Sequence, residues 1–302
     1  MLEGKVVAVT GGGRGVGRSV ALACASAGAK VVVNDLGSSE SGDDADAGPA
    51  RDVVDEITAA GGTAIANTAS VMEPEGATSI IEDAVRHFGR IDGVVNNAGF
   101  LRDAMFYKMS LKDWTDVIQV HLNGSYYVSR AAANYFKEQG SGAYVHFTST
   151  SGVLGNIGQT NYSAAKAGIV QMSYSIALEM AKFGVRSNCI APTAWTRLLE
   201  TIPIRDEAHR IKMERMKAML GPEKIAPLVV YLMSDDARNV SGQTFGVRNN
   251  EVFLYSRPTI LRTMQMSDGW TPESIAEILM PALRPSFPKL AKSADVIAWE
   301  SY

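Results

Sequence analysis

Short apolar runs alternate with longer amphipathic stretches along most of this 302-residue chain. "KVVAVT" (5–10), "KVVVN" (30–34), "TAIAN" (63–67), "IDGVV" (91–95), "AYVHFTS" (143–149) and "VRSNCIA" (185–191) are β-branched, nearly continuous in apolar character and bounded by Gly, Asn or Thr. That is the pattern of buried parallel strands. "QTFGV" (243–247) is a seventh. Between them, residues 15–28, 49–60, 74–88, 113–138, 160–183 and 222–233 carry helical periodicity. Strand and helix in alternation predict an α/β fold, a doubly wound parallel sheet of about seven strands. Right-handed crossovers place helices on both of its faces. The polar run "GSSESGDDADAGP" (37–49) predicts a long surface loop.

After about residue 250 the rhythm stops. Residues 251–302 hold five prolines and no βαβ alternation, although "TPESIAEIL" offers Thr271 as an N-cap with Pro272 at the first helical position. The expected organisation is one domain over 1–250 and a C-terminal extension, 251–302, packed on it, since the extension has too few apolar residues for a core of its own.

With 46% hydrophobic and 20% charged residues the chain reads as an ordinary globular protein, and a net charge of −3 gives no reason to expect nucleic acid or an acidic membrane surface as partner. No apolar stretch approaches membrane-spanning length. "MLEGKVVAVT" lacks a basic region followed by a long apolar run, and "AWESY" is no retention or peroxisomal signal, so a cytoplasmic location is expected. Cys24 and Cys189 both sit in apolar surroundings and read as small buried thiols; no disulfide, metal site or nucleophile is expected of them.

Candidate chemistry starts where the first strand runs into "TGGGRGVG" (10–17) and then a helix. A Gly-rich turn there lets backbone approach a pyrophosphate, which a helix N-terminus stabilises. The turn supplies Gly11, Arg14, Gly15, Val16 and Gly17, a wider spacing than G-x-G-x-x-G. Asp35, at the end of the second strand, would accept hydrogen bonds from ribose hydroxyls and repel a 2′-phosphate, which favours NAD over NADP. Arg14 and Arg18 argue the other way. Further along, "NYSAAKAG" puts Tyr162 one helical turn before Lys166. Taken alone, the pair is either a surface contact or a phenol whose pKa a neighbouring cation lowers for proton transfer.

"TGGGRGVG", then "NNAG" (96–99), then Ser149 thirteen residues before "YSAAK" together resemble the short-chain dehydrogenase/reductase family, over roughly residues 3–250. The resemblance implies a Rossmann-type sheet of seven parallel strands with its site beyond their carboxyl ends. It implies Tyr162 as catalytic acid/base, and Lys166 lowering its pKa while holding the nicotinamide ribose. Ser149 would bind the substrate oxygen; Asn97, followed by Gly99 in the same motif, would support the cofactor, NAD. A dimer or tetramer built through helices 113–138 and 160–183 is implied as well.

Departures from the family pattern narrow the choice. In "VHLNG" (120–124), His121 stands where the family has an asparagine that completes a proton relay with the lysine. We expect its imidazole within reach of Lys166, directly or through one water, and titrating near pH 6.5. Together with "VVVNDLG", "GNIGQTNYSAAKAG" and "IAPTAWTR", this resembles the (3R)-hydroxyacyl-CoA dehydrogenase units of multifunctional β-oxidation enzymes, the 17β-hydroxysteroid dehydrogenase type 4-like branch. By that match Ser70 and Val71 would sit at the adenine, and Ala194, Thr196 and Arg197 at the nicotinamide and diphosphate. Residues 205–220 form a candidate substrate lid, basic enough to meet a CoA phosphate. Three functions follow: an NAD-dependent oxidoreductase acting on a 3-hydroxyacyl-CoA or steroid-type secondary alcohol, a dehydrogenase of terpene or other bulky alcohols, or a dinucleotide-binding scaffold or redox sensor without turnover.

Overall fold

The computed structural model of the chain describes residues 1–37, 48–195 and 206–298. Most of the polar run 37–49, and with it the expected surface loop, lies outside the described residues. The sheet has eight strands in the order β3-β2-β1-β4-β5-β6-β7-β8. They are β1 Val6–Thr10, β2 Lys30–Asn34, β3 Thr63–Asn67, β4 Gly93–Asn96, β5 Gly142–Phe147, β6 Val185–Thr193, β7 Thr244–Arg248 and β8 Glu251–Leu254. The first seven pair in parallel.

The near-continuous apolar character of these strands has a direct cause. Alternate residues of β1 feed two cores: Val7 and Val9 join the cluster of α1 (Gly15–Ser26) and α2 (Gly48–Ala59). Val6 and Ala8 join that of α3 (Pro74–Phe88) on the other face. A strand covered on both faces has no polar side to show, and full burial of each valine stabilises by roughly 1.5–3 kcal/mol.

The helix expected over 113–138 is instead α4 (Leu111–Ile118), a π-helical turn (Gln119–Asn123) and α5 (Gly124–Gln139). The extra residue of the π turn carries His121 inward, a device common at functional sites. After β5 come α6 (Thr150–Leu154) and α7 (Thr160–Met180), then α8 (Glu207–Met219) and α9 (Ala226–Met233).

The sequence pattern did not reveal β8. It pairs antiparallel with β7 across Asn249 and Asn250, with Asn249 in the left-handed region at φ 54°. Asparagine tolerates that conformation, which makes a two-residue hairpin turn. The first residues of the C-terminal extension therefore complete the sheet. Beyond them, Thr271 Oγ1 accepts the Ser274 N–H at 3.2 Å and Ser274 Oγ accepts the Thr271 N–H at 2.9 Å, a reciprocal cap on the turn that starts at Pro272. Chain order reverses where β1 lies between β2 and β4, and that switch point opens a crevice at the carboxyl ends.

Candidate active site

One cleft runs from the glycine turn to α7, lined by Gly11, Arg14, Gly15 and Val16 at one end and by Tyr162 and Lys166 at the other. The turn is clamped by the neighbouring strand. Asn97 Nδ2 donates to Thr10 O at 3.2 Å and to Gly11 O at 3.0 Å. Thr10 Oγ1 accepts the amide N–H groups of Asn97 and Ala98 at 3.1 and 3.2 Å. A Cβ on Gly17 would lie 2.0 Å from Gly11 O, so only glycine lets α1 start this close to the turn. No side chain caps α1, leaving its first N–H groups facing the cleft.

Asp35 is built into this turn: its Oδ2 accepts the Gly13 N–H and its Oδ1 the Gly37 N–H, both at 2.8 Å. Arg18 ion-pairs with Glu56 on α2 instead of approaching Asp35. Ser70 and Val71 line the same cleft, with Ser70 Oγ accepting the Met72 N–H at 3.2 Å. Ala194 follows β6 two residues after Pro192, which also lines the cleft. Thr196 and Arg197 lie outside the described residues. The tight glycine turn, open helix start and anchored carboxylate fit a nicotinamide dinucleotide.

At the other end Ser149 is the N-cap of α6, and its Oγ accepts the Ser151 N–H at 3.1 Å. That bond leaves the Ser149 hydroxyl proton free to be donated. Tyr162 and Lys166 sit one turn apart on α7, with Lys166 Nζ 5.6 Å from the centre of the Tyr162 ring. Lys166 is only 3% exposed and donates to Phe147 O at 2.6 Å. Burial pushes the Lys166 ammonium down to about 7. It pushes the Tyr162 phenol up to about 12, against the hydrogen bond from Ser149, and the Asp103 charge raises it further. The expectation that Lys166 sets a low tyrosine pKa is thus not met by these side chains alone; desolvation outweighs the Ser149 hydrogen bond.

His121 is 3% exposed, and its Nε2 lies 2.8 Å from Phe100 O, which fixes the neutral ring with its proton on Nε2. Nδ1 is then a buried acceptor without a partner among the described residues. A Cβ on Gly99 would fall 1.9 Å from the His121 ring, so this glycine makes room for the imidazole. The ring meets Tyr162 edge-on at 5.2 Å. The direct contact with Lys166 is not formed: Nε2 is engaged by Phe100 O, Nδ1 has no partner among the described residues, and Lys166 donates to Phe147 O. Burial, then the Lys166 charge, pushes His121 well below its usual value, so the expected titration near 6.5 is corrected too.

Sequence reasoning passed over Asn161. Fully buried, it donates from Nδ2 to Arg102 O at 3.0 Å and Asp113 O at 3.1 Å, and accepts the Tyr162 N–H at 2.8 Å. It thereby ties the segment after β4 to the start of α7. The only available signal was an asparagine beside the tyrosine.

Known proteins are similar to this chain over most of its length. The family model described as enoyl-(acyl carrier protein) reductase matches residues 11–248. The peroxisomal hydratase-dehydrogenase-epimerase of Saccharomyces cerevisiae is 46% identical over 241 residues, 80% of this chain; the chain spans only 25% of that relative's length. The hydroxyacyl-CoA dehydrogenase ChsB1 of Mycobacterium tuberculosis is 37% identical over 292 residues, covering 92% of this chain and 88% of the relative. A crystal structure of a short chain dehydrogenase from Mycobacterium avium superposes with a TM-score of 0.83 at 36% identity, covering 96% of this chain and 98% of that one. A glycine turn after β1, a serine capping α6 and a Tyr–Lys turn on α7 point the same way as these matches: the chain belongs to the short-chain dehydrogenase/reductase family.

Proposed function

We propose that the protein is an NAD-dependent dehydrogenase of secondary alcohols, with a 3-hydroxyacyl-CoA or steroid-type alcohol as substrate. The observation that carries this reading is Tyr162, hydrogen-bonded by Ser149 and one turn from Lys166, at the end of a cleft whose other end holds Asp35. The nicotinamide dinucleotide of this family supplies the hydride acceptor or donor. Gly11 to Gly17 and Asn97 would hold its diphosphate, Asp35 its adenosine ribose, and Ser70 and Val71 its adenine. Lys166 would hold the nicotinamide ribose, with Ala194 and Thr196 beside the nicotinamide.

In oxidation, Tyr162 takes the carbinol proton while Ser149 donates to the oxygen as it becomes a carbonyl. In reduction both roles reverse. Such acid/base help is worth about 10²–10⁴-fold. While it carries its proton, Lys166 would favour the ionised form of the same phenol. His121 is a positioning residue in this reading: its buried Nδ1, without a partner among the described residues, would hold a relay water. The names of the yeast and mycobacterial relatives favour an acyl-CoA alcohol over a terpene, and α8 would serve as the lid over such a chain. Exposed Leu111, Tyr126 and Leu178 on α4, α5 and α7 support pairing of copies through these helices.

The test is an assay of purified protein with NAD⁺ or NADP⁺ against (3R)- and (3S)-hydroxyacyl-CoAs, steroid alcohols and terpene alcohols. Turnover of an acyl-CoA or steroid alcohol with NAD⁺ is expected. Turnover of terpene alcohols alone would move the substrate class, and dinucleotide binding without any turnover would leave the scaffold reading.

A further inference from the structure

Asp103 lies in the segment between β4 and α4 and is tied by hydrogen bonds through Gln159 to Ser151, the residue whose backbone N–H holds Ser149. Gln159 Nε2 donates to Asp103 Oδ2 at 2.8 Å. The other end of the same amide, Oε1, accepts from Ser151 Oγ at 2.7 Å and from Asn156 Nδ2 at 3.2 Å. Ser151 in turn donates its backbone N–H to Ser149 Oγ at 3.1 Å. A carboxylate can only accept, so Asp103 decides which way the Gln159 amide points, and the amide then decides that the Ser151 hydroxyl donates toward it. Backbone keeps the two segments in register: the Ala104 N–H donates to Gly158 O at 2.9 Å, and Ala104 bridges Gln159 in parallel. Gln159 is the N-cap of α7 and precedes Tyr162 by three residues, close to one turn.

We propose that Asp103 is a positioning residue of this site, fixing through Gln159 and Ser151 the segment that holds Ser149 and the start of the helix that carries Tyr162. This rests on the acid/base reading of Ser149 and Tyr162. Among the described residues, three titratable groups face Tyr162. Lys166 comes from its own helix, His121 from the π turn and Asp103 from the segment after β4; α6 contributes the neutral Ser149. His121 stays neutral and burial brings Lys166 down to about 7, so above about pH 8 the Asp103 carboxylate is the charge left to act on the phenol. Arg102, next in sequence to Asp103, is directed at Asp113 and Asp116, each at 3.4 Å.

Two measurements decide this. The first needs no turnover: protein carrying ¹³Cζ-tyrosine is titrated upward from about pH 8, with Tyr162→Phe identifying the Tyr162 signal. Asp103→Asn keeps an acceptor for Gln159 but removes the charge. Its Tyr162 should be ionised to about three times the wild-type extent at any pH well below the midpoint, which falls by about 0.5 unit, as for one partly screened charge. The second is kinetic, with NAD⁺ and a secondary alcohol. Gln159→Ala cuts the line to Ser149 and should lower kcat about tenfold while KM stays within about twofold, the signature of an interaction made in the transition state. Equal ionisation in wild type and Asp103→Asn overturns the proposal, and so does an unchanged kcat in Gln159→Ala. A wild-type protein without turnover sinks the dehydrogenase reading instead, and the titration still judges Asp103.

Discussion

The carboxylate of Asp35 accepts the backbone N–H of Gly13 at 2.8 Å, so the acid at the end of β2 and the glycine turn at the end of β1 form one rigid unit. A second N–H, from Gly37, holds its other oxygen. The remaining lone pairs of both oxygens stay available to ribose hydroxyls. A 2′-phosphate would meet the same carboxylate as a like charge, while Arg18 is engaged by Glu56. NAD⁺ should therefore exceed NADP⁺ in kcat/KM by at least about tenfold, the effect of about 1.4 kcal/mol. Asp35→Ala should narrow that ratio mainly by losing NAD⁺ affinity. Equal use of both cofactors by the wild-type protein would show that Asp35 does not select.

Tyr162→Phe removes one oxygen from a partly buried ring that packs edge-on against His121 at 5.2 Å. Fold and dinucleotide affinity should persist, measured by circular dichroism and by quenching of protein fluorescence. The loss in kcat should reach at least about 10²-fold, the usual scale of acid/base help. Near-normal turnover in this variant is the result that ends the mechanism.

Because burial holds His121 well below its ordinary value, its ring is neutral across the working range, about pH 5 to 8. The acid limb of the wild-type profile should then contain no histidine component. His121→Asn should reproduce its shape, with the rate changed by a constant factor at every pH. An acid limb near pH 6.5 that vanishes in His121→Asn would restore a titrating relay histidine.

Lys166 makes a separate prediction about stability. Its folded value of about 7 lies below the ordinary lysine value of about 10.4, because burial penalises the ammonium. Below pH 7 both folded and unfolded chains carry the proton and the full penalty is present. Between about pH 7 and 10 the unfolded chain binds more protons, so this group adds stability as pH rises. Lys166→Met removes the titration. The Tm difference, variant minus wild type, should be largest at pH 6 and shrink at pH 9; equal differences at both pH values would refute the depressed lysine.

Much of the site is legible in the sequence. Strands at 30–34 and 63–67 match β2 and β3 end to end, because a short apolar run bounded by polar residues is how a strand inside an α/β sheet is written. Tyr162 and Lys166 share a helix face because four residues make about one turn, and Gly17 is required because a turn that tight admits no Cβ. These are local facts, written in consecutive residues.

Other features depend on residues far apart in the chain. β8 exists because β7 offers an unpaired edge and Asn249 can turn the chain onto it. The π turn that buries His121 is supported by Phe100 O and by the bare Cα of Gly99, about twenty residues earlier. The pKa values of Tyr162 and Lys166 follow from how deeply the fold buries them, which spacing does not encode, and Asp103 reaches Ser149 only through a glutamine 56 residues later. Periodicity and spacing determined the elements, the order of the motifs and the family. Desolvation and hydrogen bonds across the sheet crevice, which exist only once distant segments are packed together, decided the charge states and the partners of the candidate site.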